Sequence, residues 1–278
     1  MRWWIWLAPV VLLAAERPVA PTFLKRHLPD VAAKVVAPGC RYRAVFGAGD
    51  SDAGILKGVA RFGEFAVDSG GTCPVEAYPG EEQAYVVVEG ACAVRYGEQQ
   101  TPLRRHDFFY VPPGLNRALS GGPCRVVVMG FKMPAGAKVA MPAKPLLANI
   151  DDVPKQVVGN HPPSTLYQLL MGDVGSKRDR LAAAHILTSL FVMEIAPGGT
   201  NTPHHHEREE EIYLVLEGQG QMVAGGGTDG VEGRHPARAG DAYFFRLNCT
   251  VGFYNGNAPG TGTARILAVR SLFPFGGR

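Results

Sequence analysis

Short apolar runs separated by turns dominate the chain from about residue 41 onward. Residues 85–88, 108–111, 212–216 and 264–269 are such runs, and β-branched and aromatic side chains are frequent in them. No long segment has the 3.6-residue periodicity of an amphipathic helix. The 35 glycines and 22 prolines supply many turn positions. The pattern therefore predicts an all-β protein made of many short strands.

An internal repeat divides this pattern into two halves. Residues 85–94 resemble residues 213–223, since each segment has a strand, a tight glycine turn and a second strand. Downstream, residues 106–114 resemble residues 240–245, and the second copy has a glycine-rich insert, predicted to be a flexible loop. The repeat predicts two tandem barrels, at residues 41–132 and 166–278. The other predicted segments are an N-terminal arm at residues 16–40, which precedes the first barrel, and a proline-rich linker at residues 133–165, which joins the two barrels.

The first 15 residues have the features of a signal peptide. One positive charge precedes a run of 13 apolar residues at positions 3–15, and Glu16 ends the run. The run is too short to span a bilayer and suits a signal-peptide core. We expect residues 1–15 to be removed, leaving a secreted or periplasmic protein without a stable membrane span. An uncleaved anchor, favoured by Trp3, Trp4 and Trp6, is the alternative.

The charge distribution argues against a nucleic acid partner, and the cysteine spacing argues against a structural zinc site. The 28 basic and 25 acidic residues are interleaved and give a net charge of +3. They form no basic stripe, so we expect no nucleic acid partner. The five cysteines contain no C-x-x-C pair, which argues against a structural zinc site. One disulfide is possible, but the sequence does not identify the pair. Cys92 and Cys124 lie in strand-like runs, where a small buried side chain is the ordinary interpretation.

The most informative residues are His204, His206 and Glu211. They belong to the pattern G-x5-H-x-H-x4-E-x6-G, which runs from Gly198 to Gly218. Side chains at positions i and i+2 of a strand share a face, so the two imidazoles project together. A hairpin would return Glu211 to the same place. Two histidines and one carboxylate suit non-haem iron. We therefore predict a divalent transition metal, with Fe or Mn favoured and Zn or Ni compatible; a solvated polar turn is the alternative.

This stretch resembles the first motif of the cupin superfamily at every defining position. The resemblance implies a cupin barrel, a double-stranded β-helix or jelly roll, with the two histidines and the glutamate as metal ligands. Residues 240–255 resemble the second cupin motif, G-D-x4-P-x4-H-x3-N. Arg246 replaces its proline, and Val251 replaces the histidine that is the usual fourth ligand. The resemblance thus implies a site with three protein ligands.

The first half of the repeat lacks the metal-binding residues. Alignment of Gly90 with Gly218 puts Glu76, Tyr78 and Gln83 at the three ligand positions, in that order. Asn116 or its neighbour stands at the position of the second-motif histidine. We interpret the N-terminal barrel as degenerate and structural. A role in dimerisation, giving a homodimer, is possible.

Two further residues are candidates for catalysis. His185 begins the strand that leads to the metal motif, where it could act as an extra ligand or proton donor, although a structural histidine is the alternative. Arg246 could hold a substrate carboxylate at the barrel mouth or form a surface ion pair. The segment from Arg246 onward and the two-barrel layout also resemble, more loosely, ureidoglycine aminohydrolase-like bicupins. That resemblance implies a metal in the C-terminal barrel only.

These features together predict a metal-dependent bicupin enzyme that acts on a small polar organic molecule. The reaction could be that of a dioxygenase-like oxidoreductase, or of a hydrolase or isomerase in which the metal is a Lewis acid. The alternative is a non-catalytic periplasmic protein that binds a sugar or an organic acid and has a structural metal. The sequence does not distinguish these possibilities.

Overall fold

The computed structural model of the chain describes residues 22–226 and 232–273. The predicted signal peptide lies outside these residues, as do part of the glycine-rich insert and the end of the C-terminal tail. Within the described ranges, helical structure is limited to three short 3-10 segments, Leu28–Asp30, Ala53–Ile55 and Ile150–Asp152. None of the described helices could cross a membrane. The rest of the secondary structure is β, which confirms the predicted fold class.

The strands of the N-terminal half follow one another closely. They are β1 (Phe23–His27), β2 (Lys34–Ala37), β3 (Cys40–Gly47), β4 (Val59–Val67), β5 (Glu81–Tyr96), β6 (Gln99–Arg104), β7 (Asp107–Val111), β8 (Arg117–Ser120), β9 (Cys124–Lys132) and β10 (Leu146–Asn149). Strands β2 to β10 form the first barrel, with the order β10-β7-β5-β9-β4-β3-β2 in its larger sheet. The far half of the long strand β5 pairs with β6 and β8 on the opposite side.

The C-terminal half repeats this arrangement. Its strands are β11 (Lys155–Gln156), β12 (Thr165–Asp173), β13 (Leu181–Ala184), β14 (Leu187–Ile195), β15 (Thr200–His204), β16 (Glu209–Glu217), β17 (Gln219–Gly225), β18 (Glu232–Arg238), β19 (Asp241–Phe245), β20 (Thr250–Asn255) and β21 (Ala264–Leu272). One sheet has the order β1-β19-β16-β21-β14-β12-β11, with β13 beside β12. It faces a four-stranded sheet of order β15-β20-β17-β18. The chain therefore consists of two jelly-roll barrels.

The segments predicted to be an arm and a linker both contribute strands. In the arm, β1 pairs antiparallel with β19 of the second barrel, and β2 pairs with β3 of the first. In the linker, β10 pairs with β7 of the first barrel, and β11 pairs with β12 of the second. These strands are short, and prolines lie close to several of them, so the sequence pattern did not reveal them.

Three hydrophobic clusters hold the molecule together. One fills the first barrel around Tyr85 and Phe109, and a second fills the other barrel around Tyr213 and Phe253. The third and largest cluster contains residues of both barrels, including Phe46 of the first, and lies between the barrels. The two barrels therefore share a continuous apolar interface, which stabilises their relative position.

Two buried glutamates reinforce this interface in a reciprocal way. Glu82 on β5 accepts hydrogen bonds from the backbone N–H groups of residues 185–187 in the second barrel, at 2.8, 2.6 and 2.7 Å. Glu210 on β16 accepts hydrogen bonds from the N–H groups of residues 57–59 in the first barrel, at 2.7, 2.7 and 2.9 Å. The two glutamates occupy equivalent positions of the internal repeat. Burial raises the pKa of Glu210, and the three backbone donors oppose that rise.

Four of the five cysteines form disulfides within the first barrel. Cys40 pairs with Cys73, and Cys92 pairs with Cys124. Cys249 forms no disulfide and is buried in the second barrel. The prediction of at most one disulfide, with Cys92 and Cys124 as ordinary buried residues, is therefore wrong. Adjacent strands bring these two side chains together, a proximity that spacing along the chain does not reveal.

Candidate metal centre

The three predicted ligands lie on one hairpin of the second barrel. His204 is the last residue of β15, a turn follows at residues 205–208, and Glu211 lies near the start of β16. The turn after β19 supports this hairpin, because the N–H of Asn248 donates to the carbonyl of His206 at 2.8 Å. Asn248 has a φ of 61°, a backbone conformation that asparagine tolerates better than most residues. This hydrogen bond thus restrains the backbone from which the second imidazole projects.

The donor atoms of the three side chains converge on one small volume. Nε2 of His204 lies 3.2 Å from Nε2 of His206, and the latter lies 3.3 Å from Oε2 of Glu211. The three donor atoms all lie within 4.8 Å of one another. Among the described residues, this is the one group of three or more His, Cys, Asp or Glu side chains with donors so close together.

Neighbouring groups orient the two imidazoles for coordination. Nδ1 of His204 lies 2.8 Å from the carbonyl oxygen of Thr202, which can only accept a hydrogen bond. Nδ1 must therefore carry the proton, which leaves the lone pair of Nε2 free for a metal. Nδ1 of His206 faces Oε2 of Glu209 at 3.5 Å. Glu209 is in turn held by Thr188 and by Arg270, the latter at 3.2 Å.

The electrostatics of the site favour a bound cation. Glu211 is only 2% exposed, and its Oε2 atom has no hydrogen-bond partner among the described residues. A buried carboxylate oxygen without a partner is costly, and a metal ion would remove that cost. Burial also lowers the pKa of His204, so its imidazole is neutral and able to bind metal near pH 7. The donor set therefore fits a divalent transition metal.

A cavity of about 240 Å³ opens onto these donors. Beyond the three ligands, its walls combine aromatic and polar side chains, including Asn160, His161, Tyr167, Arg178, Phe191, Asn201, Tyr213 and Arg270. Asn201 organises one wall, because it accepts a hydrogen bond from the Tyr167 hydroxyl and donates one to the Tyr213 hydroxyl, both at 2.9 Å. Burial raises the pKa of both phenols, so they stay neutral. The cavity suits one small polar molecule.

The two residues predicted to be catalytic do not line this cavity. His185 lies in the bend between β13 and β14, rather than in the strand, and its N–H donates to Glu82 at the barrel interface. The N–H of Arg246 donates to the carbonyl of Thr22 beside β1. The guanidinium groups that do line the cavity belong to Arg178 and Arg270. Arg270 was not predicted as a site residue, because its place beside Glu211 arises from the pairing of β21 with β16 and no local motif marks it.

The position of the usual fourth ligand is occupied by an apolar residue. Val251 pairs with His204 across β20 and β15, and its side chain is buried in the core of the second barrel. It offers no donor atom to a metal. The hairpin therefore brings together three side chains that could hold a metal, and Val251 adds no fourth.

A buried arginine occupies the equivalent place in the first barrel. Arg117 pairs with Glu76 through an isolated bridge, as Val251 pairs with His204 in the second barrel. Its Nη1 lies 2.9 Å from the Glu76 carboxylate, and its Nε donates to the hydroxyl of Tyr85. That hydroxyl donates to Gln83 at 2.7 Å. The guanidinium of Arg117 thus binds Glu76 directly and is linked to Gln83 through the Tyr85 hydroxyl. Glu76 and Gln83 both stand at positions that correspond to predicted metal ligands of the second barrel.

Replacing Arg117 with methionine should destabilise the protein by about 2 kcal/mol, because the half-buried Glu76 would lose its cation and Tyr85 a hydrogen bond. Urea unfolding measures this change. The control is Arg95→Met, which removes an exposed ion pair with Glu98 and should leave the midpoint nearly unchanged. Equal midpoints for the two variants would contradict the role assigned to Arg117.

The fold and the site together define the class of protein. The family model Cupin_2 (cupin domain) matches residues 191–270, which run from β14 to β21 and include all three predicted ligands. Residues 191–270 therefore form a cupin domain, and the chain as a whole has the two-barrel fold of bicupins. A comparison with curated proteins finds no match.

Solved structures with the same fold include proteins of several bacteria. A putative glyoxylate-induced protein from Pseudomonas aeruginosa is 17% identical, with 93% of this chain and 92% of that chain covered and a TM-score of 0.69. Oxalate decarboxylase from Lactobacillus farciminis is 12% identical, with coverages of 90% and 86% and a TM-score of 0.67. Protein Ylba from E. coli is 16% identical, with coverages of 93% and 95% and a TM-score of 0.64. At these identities the likeness establishes the fold.

Proposed function

We propose that the protein is a metal-dependent enzyme that acts on a small organic acid in the second barrel. The observation that carries this proposal is the convergence of His204, His206 and Glu211 at the wall of one cavity, with Oε2 of Glu211 close to His206 but without a hydrogen bond from any described residue. A structural metal is usually enclosed by its ligands, whereas a metal held by these three side chains would have positions left for a substrate in the adjoining cavity. Fe or Mn suits the set of two histidines and one carboxylate.

The bound metal would supply Lewis acidity or redox chemistry to a coordinated substrate. The chain's own residues would bind and orient that substrate. Arg270, which lies beside the ligands, and Arg178, which lies at the exposed side of the cavity, present guanidinium groups to a carboxylate. Tyr167 and Phe191 exclude water from the apolar side of the cavity.

The solved relatives support the choice of substrate class. Oxalate decarboxylases share this two-barrel fold, and oxalate is a small dicarboxylate. A cavity of about 240 Å³ with two arginines would accommodate an acid of that size. The two candidate reactions are oxidation by dioxygen, as in a dioxygenase, and metal-assisted hydrolysis or isomerisation.

We also propose that the protein works outside the cytoplasm. Two disulfides in the first barrel support this location, because such bonds persist mainly in oxidising compartments. The predicted signal peptide is consistent with it. Sequencing the N-terminus of the protein recovered from a periplasmic fraction would test the proposal, and a cytoplasmic protein with free thiols would contradict it.

The test of enzymatic function is a screen of metal-loaded protein against small organic acids, including oxalate, glyoxylate and 2-hydroxy acids. We expect at least one acid to raise the melting temperature and to be converted to a product detectable by mass spectrometry. Parallel reactions with and without dioxygen separate oxidative from non-oxidative chemistry. The metal-free His204→Ala/His206→Ala variant is the control. Acids that bind without conversion under either condition would contradict catalysis and indicate a binding protein.

A further inference from the structure

His161 is the one cavity-lining histidine that does not belong to the hairpin of ligands. It lies in the segment between the two barrels, directly before Pro162 and Pro163. Its imidazole meets that of His204 edge to face, with ring centroids 5.3 Å apart and planes at 68°. A metal-capable side chain from the linker therefore contacts a predicted metal ligand.

Within the described part of the chain, one ring nitrogen of His161 lacks a hydrogen bond, although the ring itself is packed against its neighbours. Its Nδ1 atom is buried and has no hydrogen-bond partner among the described residues. The ring packs at 5.4 Å from Tyr167, another wall of the same cavity. Buried polar atoms are almost always satisfied, so an unpartnered one in a cavity points to an absent ion or ligand.

The backbone around His161 holds the residue at the mouth of the cavity. The N–H of His161 donates to the carbonyl of Val158 at 3.2 Å, and the N–H of Thr165 donates to the carbonyl of Pro162 at 3.0 Å. The two prolines that follow restrict the backbone further. The backbone is thus restrained, and rotation about the side-chain bonds of His161 sets the direction in which its imidazole nitrogens point.

We propose that His161 is a fourth protein ligand of the metal held by His204, His206 and Glu211. The proposal rests on the proposed metal centre and adds a ligand that no part of the hairpin supplies. Val251, which lies opposite His204, has no donor atom. His161 lies outside the group whose donors are within 4.8 Å of one another, so its ring would have to turn toward those donors to bind the same metal. Metal binding would thereby add a further contact between the end of the linker and the second barrel, beside the pairing of β11 with β12.

Titration of the metal-free protein with Co²⁺ tests this ligand directly. Co²⁺ reports its ligands through visible absorption and through paramagnetically shifted imidazole N–H resonances. We expect the wild type to show such resonances from three histidines and His161→Ala to show them from two. Loss of the ligand should weaken Co²⁺ binding by about tenfold or more. Amide hydrogen exchange in residues 158–165 should slow when Co²⁺ binds to the wild type but not to the variant.

His205→Ala is the matched control, since His205 is exposed and does not line the cavity. Its affinity and spectrum should match those of the wild type, and melting curves of the metal-free proteins establish that all variants fold. Equal Co²⁺ affinity and identical spectra for wild type and His161→Ala would overturn the proposal while leaving the three-ligand site intact. Failure of the wild type to bind Co²⁺ would instead overturn the metal centre, and the fourth ligand with it.

Discussion

Replacing both Glu82 and Glu210 with alanine should lower the free energy of unfolding by about 5 kcal/mol, a large fraction of the stability of an ordinary domain. Each replacement leaves three backbone N–H groups of the opposite barrel without their acceptor. Buried donors that lose their partner cost about 1–3 kcal/mol each, and water entering the gap would recover part of that cost. Each single variant should therefore lose about half of the total.

Urea unfolding of the two single variants and the double variant measures these effects. The control is Glu98→Ala, because Glu98 has an 87% exposed side chain and pairs only with exposed Arg95. Its unfolding midpoint should equal that of the wild type. Two separate unfolding transitions in the double variant would show that the glutamates couple the barrels. Wild-type stability in that variant would contradict the reciprocal interaction described above.

The second large effect concerns the stabilisation that metal binding confers. A ligand that binds only the folded protein stabilises it by about 4 kcal/mol at a thousandfold excess over its dissociation constant. Added Mn²⁺ or Fe²⁺ should therefore raise the melting temperature of the metal-free wild type. The His204→Ala/His206→Ala variant should show no such increase, because two of its three ligands are gone.

A matched pair of histidine replacements provides the control. In His185→Ala/His205→Ala, both residues lie outside the cavity, so the response to metal should equal that of the wild type. The same variant also tests whether His185 is an extra metal ligand, as its position in the sequence suggested. Loss of the metal response in this control would show that the site extends beyond the cavity described above.

Much of the fold could be predicted because both barrels show the same local pattern. The Gly90 and Gly218 turns mark equivalent hairpins, and both glycines have a positive φ, 73° and 83°. Strand β1 could not be predicted, because its pairing joins Phe23 to Phe245 across nearly the whole chain. No periodicity within a short segment reports a partner so distant in sequence.

In the candidate site, too, residues close together in sequence could be predicted, whereas residues brought in by the tertiary fold could not. His204, His206 and Glu211 belong to one hairpin, so their spacing was sufficient to bring them together. Arg270 comes from a neighbouring strand and His161 from the linker. Their positions depend on sheet order and on the path of the linker, and neither follows from local pattern. Arg246 has the chemistry to bind a carboxylate, but it does not line the cavity.

The most direct test of the central claim is the metal content of protein purified without a tag and without oxygen. Mass spectrometry should find close to one transition-metal ion, Fe or Mn, per wild-type chain. It should find essentially none in His204→Ala/His206→Ala purified in parallel. A wild-type protein that contains no metal and takes none up on titration, or a double variant that retains it, would contradict a metal centre in the second barrel.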